Sequence, residues 1–128
     1  MDDRIRVTLQ HGVADVRLVR ADKMNALDDH MFEALRRTGE QLKTMPGVRA
    51  VVLSGEGRAF CAGGNVKNFP GANMEQQRPP WRPAHPDAYA TTWMRKSDVP
   101  TIAAINGYCM GMGIGVALGC DLRIAADD

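Results

Sequence analysis

Apolar and polar positions alternate at the start of the chain. Ile5, Val7 and Leu9 interleave with polar residues, His11-Gly12 turns the chain, and Val13 to Val19 resumes the pattern. That spacing predicts a β-hairpin with one covered face. Beyond the Arg20–Asn25 loop the period changes. Asp28 can N-cap a helix whose Met31, Leu35, Leu42 and Met45 approximate a helical stripe, and Pro46-Gly47 stops it. Arg49 to Leu53 then reads as a short strand buried on both faces. Further on, the pattern predicts a helix over Asp87 to Ser97, with Tyr89, Trp93 and Met94 available to one face. A strand over Thr101 to Ile105, a glycine-rich helix over Gly113 to Gly119 and a final strand over Asp121 to Ala125 complete it. Strands alternating with helices predict an α/β fold built on a parallel layer.

Composition narrows the range of functions. The 128 residues suit one domain, and a hydrophobic fraction of 45% can build its core. Sixteen basic against fifteen acidic residues leave no field that would draw nucleic acid or an anionic membrane. Cys61, Cys109 and Cys120 are odd in number and lack metal-site spacing, which points to a reducing compartment, the cytoplasm. No apolar leader follows Met1-Asp2-Asp3-Arg4. Pro100 to Cys120 carries no charge, but five glycines and Asn106 interrupt it. A buried strand, loop and helix explain that run better than a membrane span. Residues 70–86 hold five of the seven prolines and read as an exposed loop.

Two glycine-dense loops carry the candidate chemistry. Gly57 to Lys67 contains Gly63-Gly64, and Asn106 to Gly115 contains Gly107, Gly111, Gly113 and Gly115; each follows an apolar run. Such loops let backbone N–H groups approach a ligand closely. Two of them leading into helices can aim a pair of donors at one oxygen, the logic of an oxyanion hole. The competing reading is a pair of tight turns that only support packing. A phosphate-binding P-loop is absent, Gly111-x-Gly113-x-Gly115 has the wrong spacing for a dinucleotide fingerprint, and no His/Cys/Asp cluster has metal spacing.

These loops also carry a resemblance. Phe60-Cys61-Ala62-Gly63-Gly64-Asn65-Val66 resembles the first signature of the crotonase (enoyl-CoA hydratase/isomerase) superfamily. Pro100 to Tyr108, running on through Gly111-Met112-Gly113, resembles its second glycine loop, and Arg20 to Leu27 is similar to its first substrate-facing segment. The resemblance implies a crotonase-type ββα spiral, and residues 1–128 would be an incomplete domain. The chain would stop before the second half of the spiral and the C-terminal helical region. It implies an acyl-CoA-handling enzyme in which the N–H groups of Gly64 and Met112 grip the thioester carbonyl. Met24, Ala26, Ala62, Asn65, Val66, Lys67, Tyr108 and Gly115 would line the substrate, with Lys67, Arg20 or Lys23 near phosphates. Coenzyme A enters as the substrate's thioester; no permanent cofactor or metal is implied, and assembly would be a homo-oligomer, trimeric or hexameric.

Two departures qualify this. Asn65 stands where many members carry aspartate. Gly115 stands where hydratases of the family carry a glutamate, and glycine can hold no proton. The second hydratase acid would fall past Asp128. The expectation therefore stays open between a non-hydratase crotonase (an isomerase, hydrolase, dehalogenase or decarboxylase-like enzyme) and a non-catalytic assembly module. His85, Asp87, Tyr89 and Tyr108 are the remaining candidates nearby. His85 reads as a surface residue, and Cys61 and Cys109 read as small hydrophobes rather than nucleophiles.

Overall fold

The computed structural model describes residues 4–64 and 88–127, with side chains described from 92 onward in the second stretch. The 70–86 loop, Asn65, Val66, Lys67, His85, Asp87 and the Tyr89 side chain lie outside the described residues.

The hairpin forms as the alternation predicts. β1 (Ile5–Gln10) runs antiparallel to β2 (Val13–Leu18), with Val7 opposite Val16. β2 turns Ala14, Val16 and Leu18 into the interior, while Leu9 at the far end of β1 stays exposed. α1 (Asp29–Thr44) starts at Asp28, whose carboxylate accepts from the Met31 N–H at 2.8 Å. It buries Met31, Ala34, Leu35, Thr38 and Gly39 along one stripe. The helix ends at Met45, which is extended because Pro46 disfavours a helical residue before it.

β3 (Ala50–Gly55) pairs parallel with β2 and with β5 (Thr101–Ile105), and β7 (Leu122–Ala125) pairs parallel with β5. The five-stranded order is β1-β2-β3-β5-β7, a parallel sheet with one antiparallel edge. The expectation that β3 is buried on both faces is corrected. Val51, Leu53 and Gly55 are buried, whereas Val52 and Ser54 are only half-buried.

Two short strands were not expected. β4 (Ala59–Cys61) and β6 (Tyr108–Cys109) form a separate parallel pair in which Cys61 faces Cys109. Each lies within a glycine loop, just ahead of Gly63-Gly64 or Gly111, so the pair brings the two loops side by side. α2 (Ala88–Lys96) and α3 (Met112–Gly119) fall where the pattern places them. The core joins the sheet to the helices through Val16, Leu18, Met31, Leu35, Leu53, Phe60, Trp93 and Met94, all buried. At the far edge β7 exposes every residue, Leu122 and Ile124 included.

Candidate functional site

The Arg20–Leu27 segment is fixed by two side chains. Asn25 is fully buried and left-handed (φ 56°), a conformation asparagine adopts more readily than most residues. Its Oδ1 accepts from the Arg20 N–H at 2.8 Å, and its Nδ2 donates to the carbonyls of Ala59 (2.9 Å) and Glu56 (3.1 Å). The second anchor is the Asp28 carboxylate, which accepts from Arg4 at 2.9 Å and also pairs with Arg20. Burial pushes its pKa up, but the Arg4 hydrogen bond, the Met31 N–H and the charges of Arg20 and Arg4 outweigh this, and the net shift is downward. Arg20 is thus paired with Asp28 at this anchor.

So anchored, the segment lies along the first glycine loop. The Ala62 N–H donates to the Met24 carbonyl at 2.9 Å, and the Leu27 N–H donates to the Gly63 carbonyl at 2.7 Å. On its other side this loop meets the second one. The Met110 N–H donates to the Cys61 carbonyl at 3.0 Å. Gly63 has φ 90°, and a Cβ there would lie 2.6 Å from the Met110 carbonyl oxygen and 3.2 Å from the Met112 nitrogen. A Cβ at Gly113 would lie 2.4 Å from the Cys61 carbonyl oxygen. Glycine at these two positions is what lets the loops touch.

The direction of two amides follows from peptide planarity. No cis peptide occurs among the described residues, so each C=O and the N–H after it point in opposite directions. The Gly63 carbonyl faces Leu27; the Gly64 N–H therefore points away from it. The Gly111 carbonyl accepts from the Ile114 N–H at 3.0 Å, so the Met112 N–H points back out of the first turn of α3. An N–H in the first turn has no partner within its helix. Neither amide is seen to donate to a loop or cap acceptor among the described residues.

The remaining expected residues fall unevenly. Met24 and Ala26 are half-buried beside the first loop, and the Met24 sulfur accepts from Arg58 at 3.6 Å. Tyr108 stands exposed on β6. A Cβ at Gly115 would meet nothing within 4 Å, and Gly115 shares a cavity of about 220 Å³ with Met112, Thr92 and Arg95. Burial pushes the Cys61 thiol up to about 11, and the thiol donates to the Asn25 carbonyl at 3.2 Å. Among the described residues no group of acidic, histidine or cysteine side chains is placed to hold a metal ion. None of their helices is long and apolar enough to cross a membrane.

Sequence reasoning missed the asparagine clamps. Asn106 donates from Nδ2 to the carbonyls of Gly55 (2.6 Å) and Gly57 (3.0 Å) and accepts from the Gly55 N–H, closing from β5 the same turn that Asn25 closes from the other side. The available signal was two asparagines adjoining the glycine loops, a residue type that bonds to nearby backbone.

Comparison with known proteins matches this architecture. The family model described as enoyl-CoA hydratase/isomerase matches residues 8–128. The chain is 35% identical to (E)-benzylidenesuccinyl-CoA hydratase of Thauera aromatica, covering 95% of this chain and 46% of that protein. It is 32% identical to 4-chlorobenzoyl coenzyme A dehalogenase-1 of an Arthrobacter species, covering 98% and 46%. The solved enoyl-CoA hydratase of Mycobacterium smegmatis superposes with a TM-score of 0.76 at 26% identity, covering 97% and 47%. The chain thus spans about half the length of the relatives it matches, and its fold is the corresponding part of the crotonase spiral. With its pattern, its two glycine loops and these matches in agreement, the chain belongs to the enoyl-CoA hydratase/isomerase family.

Proposed function

We propose that this chain supplies the oxyanion-stabilising half of an acyl-CoA enzyme, with the N–H groups of Gly64 and Met112 binding the thioester carbonyl. The observation that carries the reading is the contact between the two glycine loops, each turning outward one amide that donates to no loop or cap acceptor among the described residues. As an enolate or tetrahedral intermediate forms, charge grows on the thioester oxygen, and each such donor is worth about 3 kcal/mol. Met24, Ala26 and Ala62 line the approach along the first loop; Asn65, Val66 and Lys67, which the family resemblance adds to the substrate contacts, lie outside the described residues. Tyr108 belongs to the exposed rim.

A non-hydratase reaction, such as isomerisation or hydrolysis, is favoured over hydration by Gly115. Its position offers open space and no carboxylate. The three free cysteines support a reducing compartment such as the cytoplasm. The exposed Ile114, Leu118, Leu122 and Ile124 support assembly into a homo-oligomer. A balanced charge supports neither nucleic acid nor membrane as partner.

Calorimetric titration of the full chain with butyryl-CoA tests the reading. Saturable binding that free butyrate does not reproduce is the expected result. Absence of heat at millimolar thioester would reject it.

A further inference from the structure

The cavity that Met112 and Gly115 line has a chemical character of its own. It lies between α2 and α3, lined by Thr92 and Arg95 one turn apart on α2 and by Met112 and Gly115 one turn apart on α3. Gly115 contributes no side chain, so the space of about 220 Å³ opens directly beside the first turn of α3. Arg95 is exposed and, among the described residues, forms no ion pair and is the only ionisable side chain in the lining. The first turn of α3 adds the positive end of a helix dipole on the opposite wall. An uncharged acyl chain could pack on the apolar part of the lining but would leave this positive charge unused. A carboxylate at the far end of the acyl chain would take a charge-assisted, two-pronged hydrogen bond from the guanidinium.

We propose that Arg95 selects acyl-CoA substrates whose acyl chain ends in a carboxylate, in the space that Gly115 leaves open. This rests on the proposed binding of the thioester at Gly64 and Met112 and deepens it to a substrate class. Arg95 is a specificity residue here: it meets the distal end of the substrate, away from the reacting carbonyl.

The test compares glutaryl-CoA with its uncharged counterpart of equal chain length, pentanoyl-CoA, by calorimetry on the full chain. Glutaryl-CoA is expected to bind about tenfold more tightly, with a preference that shrinks as ionic strength rises. Arg95→Gln should bring the ratio of the two affinities to about one, while Arg95→Lys keeps part of it. A purely structural role for Arg95 would weaken both ligands alike and leave the ratio standing. Equal binding of the two thioesters by the unaltered chain, or a ratio that survives in Arg95→Gln, overturns the inference and leaves the acyl-CoA reading intact. Failure of both thioesters to bind overturns the acyl-CoA reading itself, and this inference with it.

Discussion

Asn25 holds three backbone groups through one side chain, in a left-handed conformation that most residues resist. Replacing it by alanine strands the Ala59 and Glu56 carbonyls and the Arg20 N–H. Buried unpaired groups cost about 1–3 kcal/mol each when water cannot replace the lost partner. Asn25→Ala should therefore lower stability by about 2–4 kcal/mol, read as an earlier midpoint in urea; an unchanged midpoint would show the clamp to be dispensable. Asp28 gives a pH signature. Its pKa is lower folded than unfolded, so its contribution is complete above the unfolded value of about 4 and is lost as pH falls through the folded one. Asp28→Asn keeps an N-cap but loses that dependence. The gap in thermal midpoint between the two proteins should be widest at neutral pH and narrow below about pH 4. A gap constant with pH would contradict the ion-pair account. Neither role was legible in the sequence: Asp28 read as a helix cap only, and Asn25 as one letter of a substrate-facing segment. Their partners, Arg4 and Ala59 among them, come from elsewhere in the chain, and only folding brings them close.

Among the elements, α3 separates two glycines that look alike in sequence. Gly113 packs on the Cys61 carbonyl with no room for a Cβ, whereas Gly115 faces open space. Gly113→Ala should push α3 away from β4 and destabilise the protein by about 1–3 kcal/mol, the usual cost of overpacking. Gly115→Ala should instead gain up to about 1 kcal/mol from helix propensity. Thermal denaturation of the two variants checks this; equal effects would mean that α3 does not rest on β4 as described. The helices and long strands were legible because their apolar periods are sustained over several residues. β4 and β6 were not, since strands of three and two residues have no period to show. The glycine density around them announced close backbone approach without saying what approached.

Across the molecule, sequence pattern gave the parallel α/β layer. Periodicity could not distinguish a crotonase spiral from any other such layer; the ordered glycine loops did, through family resemblance. Strand β7 and the outward apolar residues of α3 leave one apolar face exposed, and the chain spans about half the length of the relatives it matches. What brings the two loops together is the β4–β6 pairing, and the central proposal is that their amides grip a single carbonyl. The infrared stretch of the thioester C=O in carbon-13-labelled butyryl-CoA reports this directly, because two converging donors weaken the bond. Met112→Pro removes one donor at the first helical position, where proline is tolerated. The account predicts a clear shift to lower frequency on binding to the unaltered chain and a smaller shift in Met112→Pro. A stretch that stays at its value in water, or a shift that Met112→Pro leaves unchanged, would contradict it.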